Sequence, residues 1–356
     1  MFESIVIENV RNLREVSIVA GSGANYLFGE NGSGKTSVLE ALHLLGFGRT
    51  FRAGSIEGVI RTGEPFCRVV ADVFLGDGQV SKIGLERRGK SWQAKVDGVA
   101  VEHLSSLLLR IPILCLHPGS ADALLFDADV RRRMIDWGVF HVEPSLLRVW
   151  RDYVRALRQR NAALRVQDEM LASAWEPELS SNGERIHAAR VEYLAALSSG
   201  LTAVLEQIAP ELKDVAVSFR SGWAESESLG SALEATRSRD LIGGFTSSGP
   251  HRGDLRLQWS GKPFREIASR GQAKAYVLSV LLAQATWYHL RTGRWPTLLF
   301  DDVGSELDTE HQSKLATWLE VSASQVWFSG LDDQPPLLPH SATRFHVKQG
   351  EVTRQV

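Results

Sequence analysis

Cysteine is scarce in this chain: Cys67 and Cys115 are the only two among 356 residues. Two thiols are too few for a disulfide framework or a Cys₄ zinc site, which fits a reducing compartment and makes the cytoplasm the expected location. No run of eighteen uncharged apolar residues occurs, and the first residues carry no basic, apolar leader, so neither membrane insertion nor export is indicated. Strong charge of either sign is missing too. A formal net charge of −2 gives no global attraction to a polyanion, so any contact with nucleic acid must come from local basic patches. No internal repeat or low-complexity segment is evident. What is present is ordinary globular material. With 44% hydrophobic residues the chain can bury a substantial core, in one large or two modest domains.

Against that background one segment stands out. Gly29-Glu30-Asn31-Gly32-Ser33-Gly34-Lys35-Thr36 matches the phosphate-loop pattern G-x-x-x-x-G-K-[ST], with Ser37 following. The glycines let the backbone turn tightly and aim N–H groups at a phosphate chain; Lys35 can reach the outer phosphates, and the Thr36 hydroxyl can hold Mg²⁺. The flanks agree. Ala24 to Phe28 reads as a short buried strand and Ser37 to Leu45 as an apolar-faced helix. A nucleoside triphosphate site is therefore expected here, and metal other than nucleotide-bound Mg²⁺ is not. Guanine specificity is disfavoured because no N-K-x-D sequence occurs.

Along the chain, strands are expected at Ile5–Ile7, Val16–Val19, Phe66–Phe74, Val80–Leu85 and Trp92–Val96, separated by turns such as Gly76-Asp77-Gly78. From about Glu143 the texture becomes helical. Leu147, Trp150, Val154, Leu157 and Leu164 fall at helical spacing, beside a stripe of Arg148, Arg151, Arg155, Arg158 and Arg165. The stripe reads first as a solvated face, with phosphate contact as the sharper reading. A second helix is expected over Gly183–Ile208, joined to the first through Trp175-Glu176-Pro177 as an antiparallel hairpin. Strands return at Ala216–Phe219 and Leu255–Trp259, followed by a helix over Ala273–Leu290 and a buried strand at Thr297–Phe300.

That last strand ends in Asp301-Asp302. An apolar strand that delivers an Asp beside a phosphate loop completes a Mg²⁺ site, so Asp301 is paired with Thr36, and Asp302 is the candidate base for the attacking water. The run Asp301-Asp302-Val303-Gly304-Ser305-Glu306-Leu307-Asp308 resembles the D-E-P-T-S-A-L-D stretch of ABC-type ATPases. Upstream, Ala268-Ser269-Arg270-Gly271-Gln272 resembles their L-S-G-G-Q signature, which contacts the γ-phosphate held by the opposite subunit. A Ser hydroxyl, Gly271 and free N–H groups at a helix start make an anion receptor. The resemblance assigns Ser269, Gly271 and Gln272 to the nucleotide and gives Lys35, Asp302 and Ser269 catalytic parts.

About 230 residues separate Lys35 from Ser269. An ABC head split by a helical arm of this modest length resembles the RecF family of bacterial recombination mediators. Further segments agree: Gly48-Arg49-Thr50-Phe51-Arg52, Arg131 to Gly138, Gln159 to Leu164 and Gly249-Pro250-His251-Arg252-Gly253-Asp254. The expectation is an α/β ABC-type head from residues 1–139 and 236–356 with an inserted helical arm at 140–235. The resemblance implies an ATP-dependent homodimer that clamps DNA at single-stranded gaps, duplexes or junctions, works with RecO and RecR in recombinase loading, and has no membrane partner. Two departures bear on activity. The usual catalytic Glu is replaced by Asp302, one methylene shorter, which predicts slow turnover. A switch histidine is missing after Gln325-Val326-Trp327-Phe328, where Ser329-Gly330 stand instead. A non-hydrolysing ATP-gated DNA scaffold and a transporter nucleotide-binding subunit are the rival readings. His117 reads as a loop histidine and His251 as a polar cap on a returning strand.

Overall fold

The computed structural model describes residues 1–52, 56–75, 78–333, 335, 338–339 and 341–355. Gly76 and Asp77 of the expected turn lie outside them. The chain divides into two compact units, 1–121 with 207–209 and 270–356, and 122–206 with 210–269. The second unit takes in the expected arm at 140–235, apart from 207–209, and extends beyond it at both ends. Backbone and side-chain contacts tie the extension in: the strand Asp254–Trp259 pairs with Ala216–Arg220, and Asp136 pairs with Arg190 and Asp240 with Arg160, all inside this unit.

Two six-stranded sheets build the first unit. One is antiparallel and ordered β2 (Leu13–Val19), β1 (Phe2–Val10), β4 (Phe66–Phe74), β5 (Val80–Arg88), β6 (Ser91–Val96), β7 (Val99–Ala100). Its strands alternate buried and open residues, as an antiparallel sheet with one covered face should. The other sheet is ordered β15 (Glu351–Gln355), β14 (Thr343–Lys348), β3 (Ala24–Phe28), β13 (Val326–Gly330), β12 (Thr297–Phe300), β8 (Ile113–Leu116). From β14 to β8 it is parallel. Every residue of β12 and β13 is buried, the pattern of parallel strands covered on both faces. The helix Lys35–Phe47 sends Val38, Leu39, Leu42 and Leu45 into one core with Ile5, Ile7, Val69, Leu299 and Trp327.

The second unit holds the helices Ala128–Val142, Leu146–Arg165, Glu169–Ala174, Glu176–Ile208 and Leu229–Gly243, together with the antiparallel sheet β11 (Lys262–Pro263), β10 (Asp254–Trp259), β9 (Ala216–Arg220). Two expectations need correction here. The long helix starts at Glu176 and runs 33 residues. Pro177 therefore sits in its first turn, where a missing N–H breaks no helical bond, and Glu176-Pro177 is not a connecting loop. Leu147 and Leu164 are buried as expected, but between them the buried face of Leu146–Arg165 runs through Val149, Tyr153, Ala156, Arg160 and Ala163, while Trp150, Val154 and Leu157 are only half-buried. Arg160, fully buried, enters the middle of the expected aliphatic seam because two carboxylates neutralise it: Glu176 Oε1 at 3.0 Å and Asp240 Oδ2 at 2.8 Å.

Candidate functional site

Parallel strand register builds the site from the carboxyl ends of three neighbours. β13 pairs with β3 on one side and β12 on the other, so Phe28 and Phe300 deliver the phosphate loop and Asp301 beside one strand. The backbone N–H of Asp301 donates to the Leu116 carbonyl of β8 (2.9 Å), which extends the ladder to the aspartate itself.

The loop holds a conformation only glycine permits at two points. Gly29 has φ 143° and an added Cβ would lie 2.2 Å from the Val347 carbonyl oxygen; Gly34 has φ 123° and a Cβ there would meet Leu13 Cδ2 at 2.9 Å. Asn12, in the turn between β1 and β2, braces the outside. Its amide donates to the Gly32 carbonyl (3.2 Å) and its oxygen accepts from the Ser37 hydroxyl (2.7 Å). Sequence reasoning missed Asn12 because nothing in its own segment points to a loop twenty residues on. Ser33 is buried, and its hydroxyl oxygen has no partner among the described residues, an orphaned polar group inside a loop suited to phosphate oxygens. Lys35 donates to the carbonyls of Gly29 (2.7 Å) and Glu30 (2.8 Å). Burial lowers its pKa, and the carboxylates of Asp302 and Asp301 pull it back up.

Thr36 and Asp301 meet as expected, the Thr36 hydroxyl donating to Asp301 Oδ1 at 2.9 Å. Two hard oxygen groups converging beside a phosphate loop fit Mg²⁺. Burial raises the Asp301 pKa, while hydroxyl bonds from Ser329 and Thr36 lower it. Ser329 stands where the switch histidine would be and ties the two acids together. Its hydroxyl donates to Asp301 Oδ1 (2.7 Å) and accepts from the Asp302 backbone N–H (2.9 Å). Asp302 adopts the left-handed conformation, φ 52° and ψ 48°, which Asp tolerates better than most residues. Its Oδ2 accepts from the Ser305 hydroxyl at 2.7 Å.

Behind the site, Glu40 is fully buried and holds the Gly48–Arg52 segment: Arg11 forks onto it (3.0 and 2.8 Å), Thr50 donates to it, and Arg52 approaches at 3.7 Å. His43 bonds the Arg49 carbonyl at 2.8 Å, and burial drops its pKa to about 3. A neutral ring facing a carbonyl must place its proton on Nδ1.

Ser269 is exposed and immediately precedes the helix Arg270–Thr292, whose first turn holds the exposed Gly271 and half-buried Gln272. Asp308 caps the helix Thr309–Val321 and accepts from the His311 N–H (2.9 Å) and ring (2.8 Å). In the second unit the arginine stripe divides. Arg155 is held by Glu178 (2.6 Å) and Asp152 (3.4 Å), whereas Arg148, Arg158 and Arg165 stay exposed and Arg151 is half-buried, its Nε without a partner among the described residues. His117 stacks on Phe51 with ring centroids 4.9 Å apart and bonds the Pro118 carbonyl. His251 is an internal brace: Nε2 lies 3.1 Å from the Thr246 carbonyl, Nδ1 lies 2.6 Å from the Tyr153 hydroxyl, and burial lowers its pKa to about 4.

A parallel sheet with a phosphate loop after one strand, a pair of acids after the next-but-one, and a helix led by a serine is the architecture of an ABC-type P-loop ATPase head. The family model of the RecF/RecN/SMC N terminal domain matches residues 1–335. DNA replication and repair protein RecF of Xanthomonas euvesicatoria pv. vesicatoria (strain 85-10) is 40% identical over 98% of this chain and 97% of its own. RecF of Pseudomonas aeruginosa (strain LESB58) is 36% identical over 98% of this chain and 96% of its own. Among solved structures, the recombination mediator protein RecF with ATP superposes with a TM-score of 0.88 at 23% identity, covering 100% of this chain and 97% of that one. The Smc head bound to the C-winged helix domain of ScpA gives 0.57 at 14% identity, covering 99% and 97%, so the same fold underlies both. The chain belongs to the RecF family of DNA replication and repair proteins.

Proposed function

We propose that this chain is an ATP-dependent DNA-binding protein of recombinational repair, in which ATP drives two copies together on DNA and slow hydrolysis releases them. The contact between Thr36 and Asp301 carries the reading, because residues 265 apart in sequence meet in the one geometry a Mg·ATP site needs. Gly29 to Ser37 would cradle the phosphates, Lys35 would reach the outer ones, and Thr36 with Asp301 would hold Mg²⁺, which supplies charge neutralisation. Asp302 would orient the attacking water, with Ser329 fixing its backbone. Its short side chain and its bond to Ser305 both argue for slow turnover. Ser269, Gly271 and Gln272 would close over the nucleotide of the other copy, since one chain holds one loop and one signature. DNA at gaps, duplexes or junctions, together with RecO and RecR, follow as partners from the pathway named for the RecF neighbours, and the cytoplasm as location.

Asp302→Asn tests the division of labour. A ligand acts in the ground state and a base in the transition state. The Asn variant should bind Mg·ATP normally and accumulate as an ATP-bound dimer on gel filtration, whereas Asp301→Ala should lose nucleotide affinity. Equal loss of affinity in both variants would refute the assignment. The non-hydrolysing alternative predicts no turnover by the parent chain with or without DNA.

A further inference from the structure

The sheet of the second unit carries a cleft that the nucleotide chemistry does not use. It encloses about 370 Å³ over the β9–β10 pair, with Leu124, Leu255, Leu257 and Pro263 in its walls. Four arginines line it, Arg131, Arg220, Arg256 and Arg265, against the carboxylate of Asp254. Arg131 commits its fork to that carboxylate (2.7 and 2.9 Å) and its remaining nitrogen to the Leu124 carbonyl (2.7 Å). Asp254 is thereby taken. The guanidinium groups of Arg220, Arg256 and Arg265 are exposed and have no acceptor among the described residues.

Strand register aligns two of these open charges. Arg220 lies opposite Asp254 and Arg256 opposite Ser218, so Arg220 and Arg256 project from the same face of the pleat as diagonal neighbours. Arg265 follows from the short helix Phe264–Ile267. Uncompensated guanidinium groups gathered in a concavity repel one another until an anion enters, and a forked donor is the residue that recognises carboxylate or phosphate. The walls choose between these. Among the described residues no aromatic side chain lines the cleft, so it offers no platform for stacking bases, while the half-buried Leu125 and exposed Pro263 supply apolar surface for an aliphatic side chain.

We propose that this cleft docks an acidic, aliphatic-bearing peptide segment of a partner protein, with Arg220, Arg256 and Arg265 gripping its carboxylates and the surface of Leu125 and Pro263 meeting its aliphatic side chain. The site stands apart from the nucleotide reading and survives that reading's failure.

Fluorescence anisotropy with the full chain tests it, using a fluorescein-labelled peptide of alternating Asp and Leu. An all-Asp peptide of equal charge and a poly-dT oligonucleotide serve as competitors. The Asp/Leu peptide should bind, and the all-Asp peptide should compete poorly. Arg220→Glu/Arg256→Glu should weaken peptide binding by about tenfold or more. Arg265→Glu, on a separate element, should act in the same direction, and Arg220→Lys/Arg256→Lys should fall between, having charge without the fork. Unchanged circular dichroism and ATP binding by the charge-reversed variants show that the fold stands. Absence of peptide binding, or equal binding by the charge-reversed chain, overturns the proposal. So does a loss that falls on the oligonucleotide rather than the peptide, which would make the cleft a nucleic-acid contact.

Discussion

Burial sets the charged form of Asp301 against the preference of its surroundings. Burial places its folded-state pKa above the unfolded one, so the folded chain holds its proton more tightly and loses stability as pH rises through the carboxylate range. The full cost stands above that range and disappears below the unfolded value. Asp301→Asn removes the charge yet keeps an acceptor for the hydroxyls of Thr36 and Ser329. The nucleotide-free variant should therefore melt at higher temperature than the parent at about pH 7, and the two should converge toward about pH 4. A variant that melts lower at neutral pH would show that its hydrogen bonds outweigh the buried charge. The meeting of Thr36 with Asp301 was legible because spacing in such motifs is set by chemistry. Ser329 and Asn12 were not, because a serine on a buried strand and an asparagine in a turn acquire their parts only when β13 and the β1–β2 turn arrive beside the loop.

At the scale of elements, the buried guanidinium of Arg160 organises the second unit. It joins three helices through Glu176 and Asp240, and its Nη1 also donates to Thr246 at 2.8 Å. Removing one member of such a set strands the others without compensation. Arg160→Ala should cost about 3–5 kcal/mol in a denaturant titration, and Arg160→Met/Asp240→Leu less than Arg160→Met alone. Equal costs for the double and single variants would mean that Asp240 is neutralised some other way. Strand positions were largely readable from the sequence because alternation in β4 and β5 and the apolar run of β12 each follow directly from which faces are covered. The face of Leu146–Arg165 was misread for the converse reason. Hydrophobic spacing cannot reveal a buried arginine whose neutralising acids lie 16 and 80 residues away.

For the whole molecule, nucleotide, dimer and DNA are proposed to be linked, and each link has its own readout. If the open arginines of the stripe meet phosphate, Arg148→Ala/Arg158→Ala/Arg165→Ala should weaken duplex binding and flatten its log–log salt dependence by about 0.9 per lost contact, with ATP binding unchanged. An unaltered slope would return these residues to the solvated face. Unit boundaries were the least legible feature, since 122–139 and 236–269 join the second unit through strand pairing and ion pairs rather than through any shift in composition.

The central claim is that Ser269 of one copy completes the phosphate loop of another. Neither Lys35→Ala nor Ser269→Arg should dimerise with ATP or hydrolyse it, and Ser269→Arg should still bind ATP as a monomer. Mixed together, the two variants form one pair in which an intact loop faces an intact signature. Sedimentation and ATPase measured across a mixing series should show partial recovery that peaks near equal proportions of the two. ATP-driven dimerisation by the Ser269→Arg chain alone, at parental affinity, would contradict a site shared between copies.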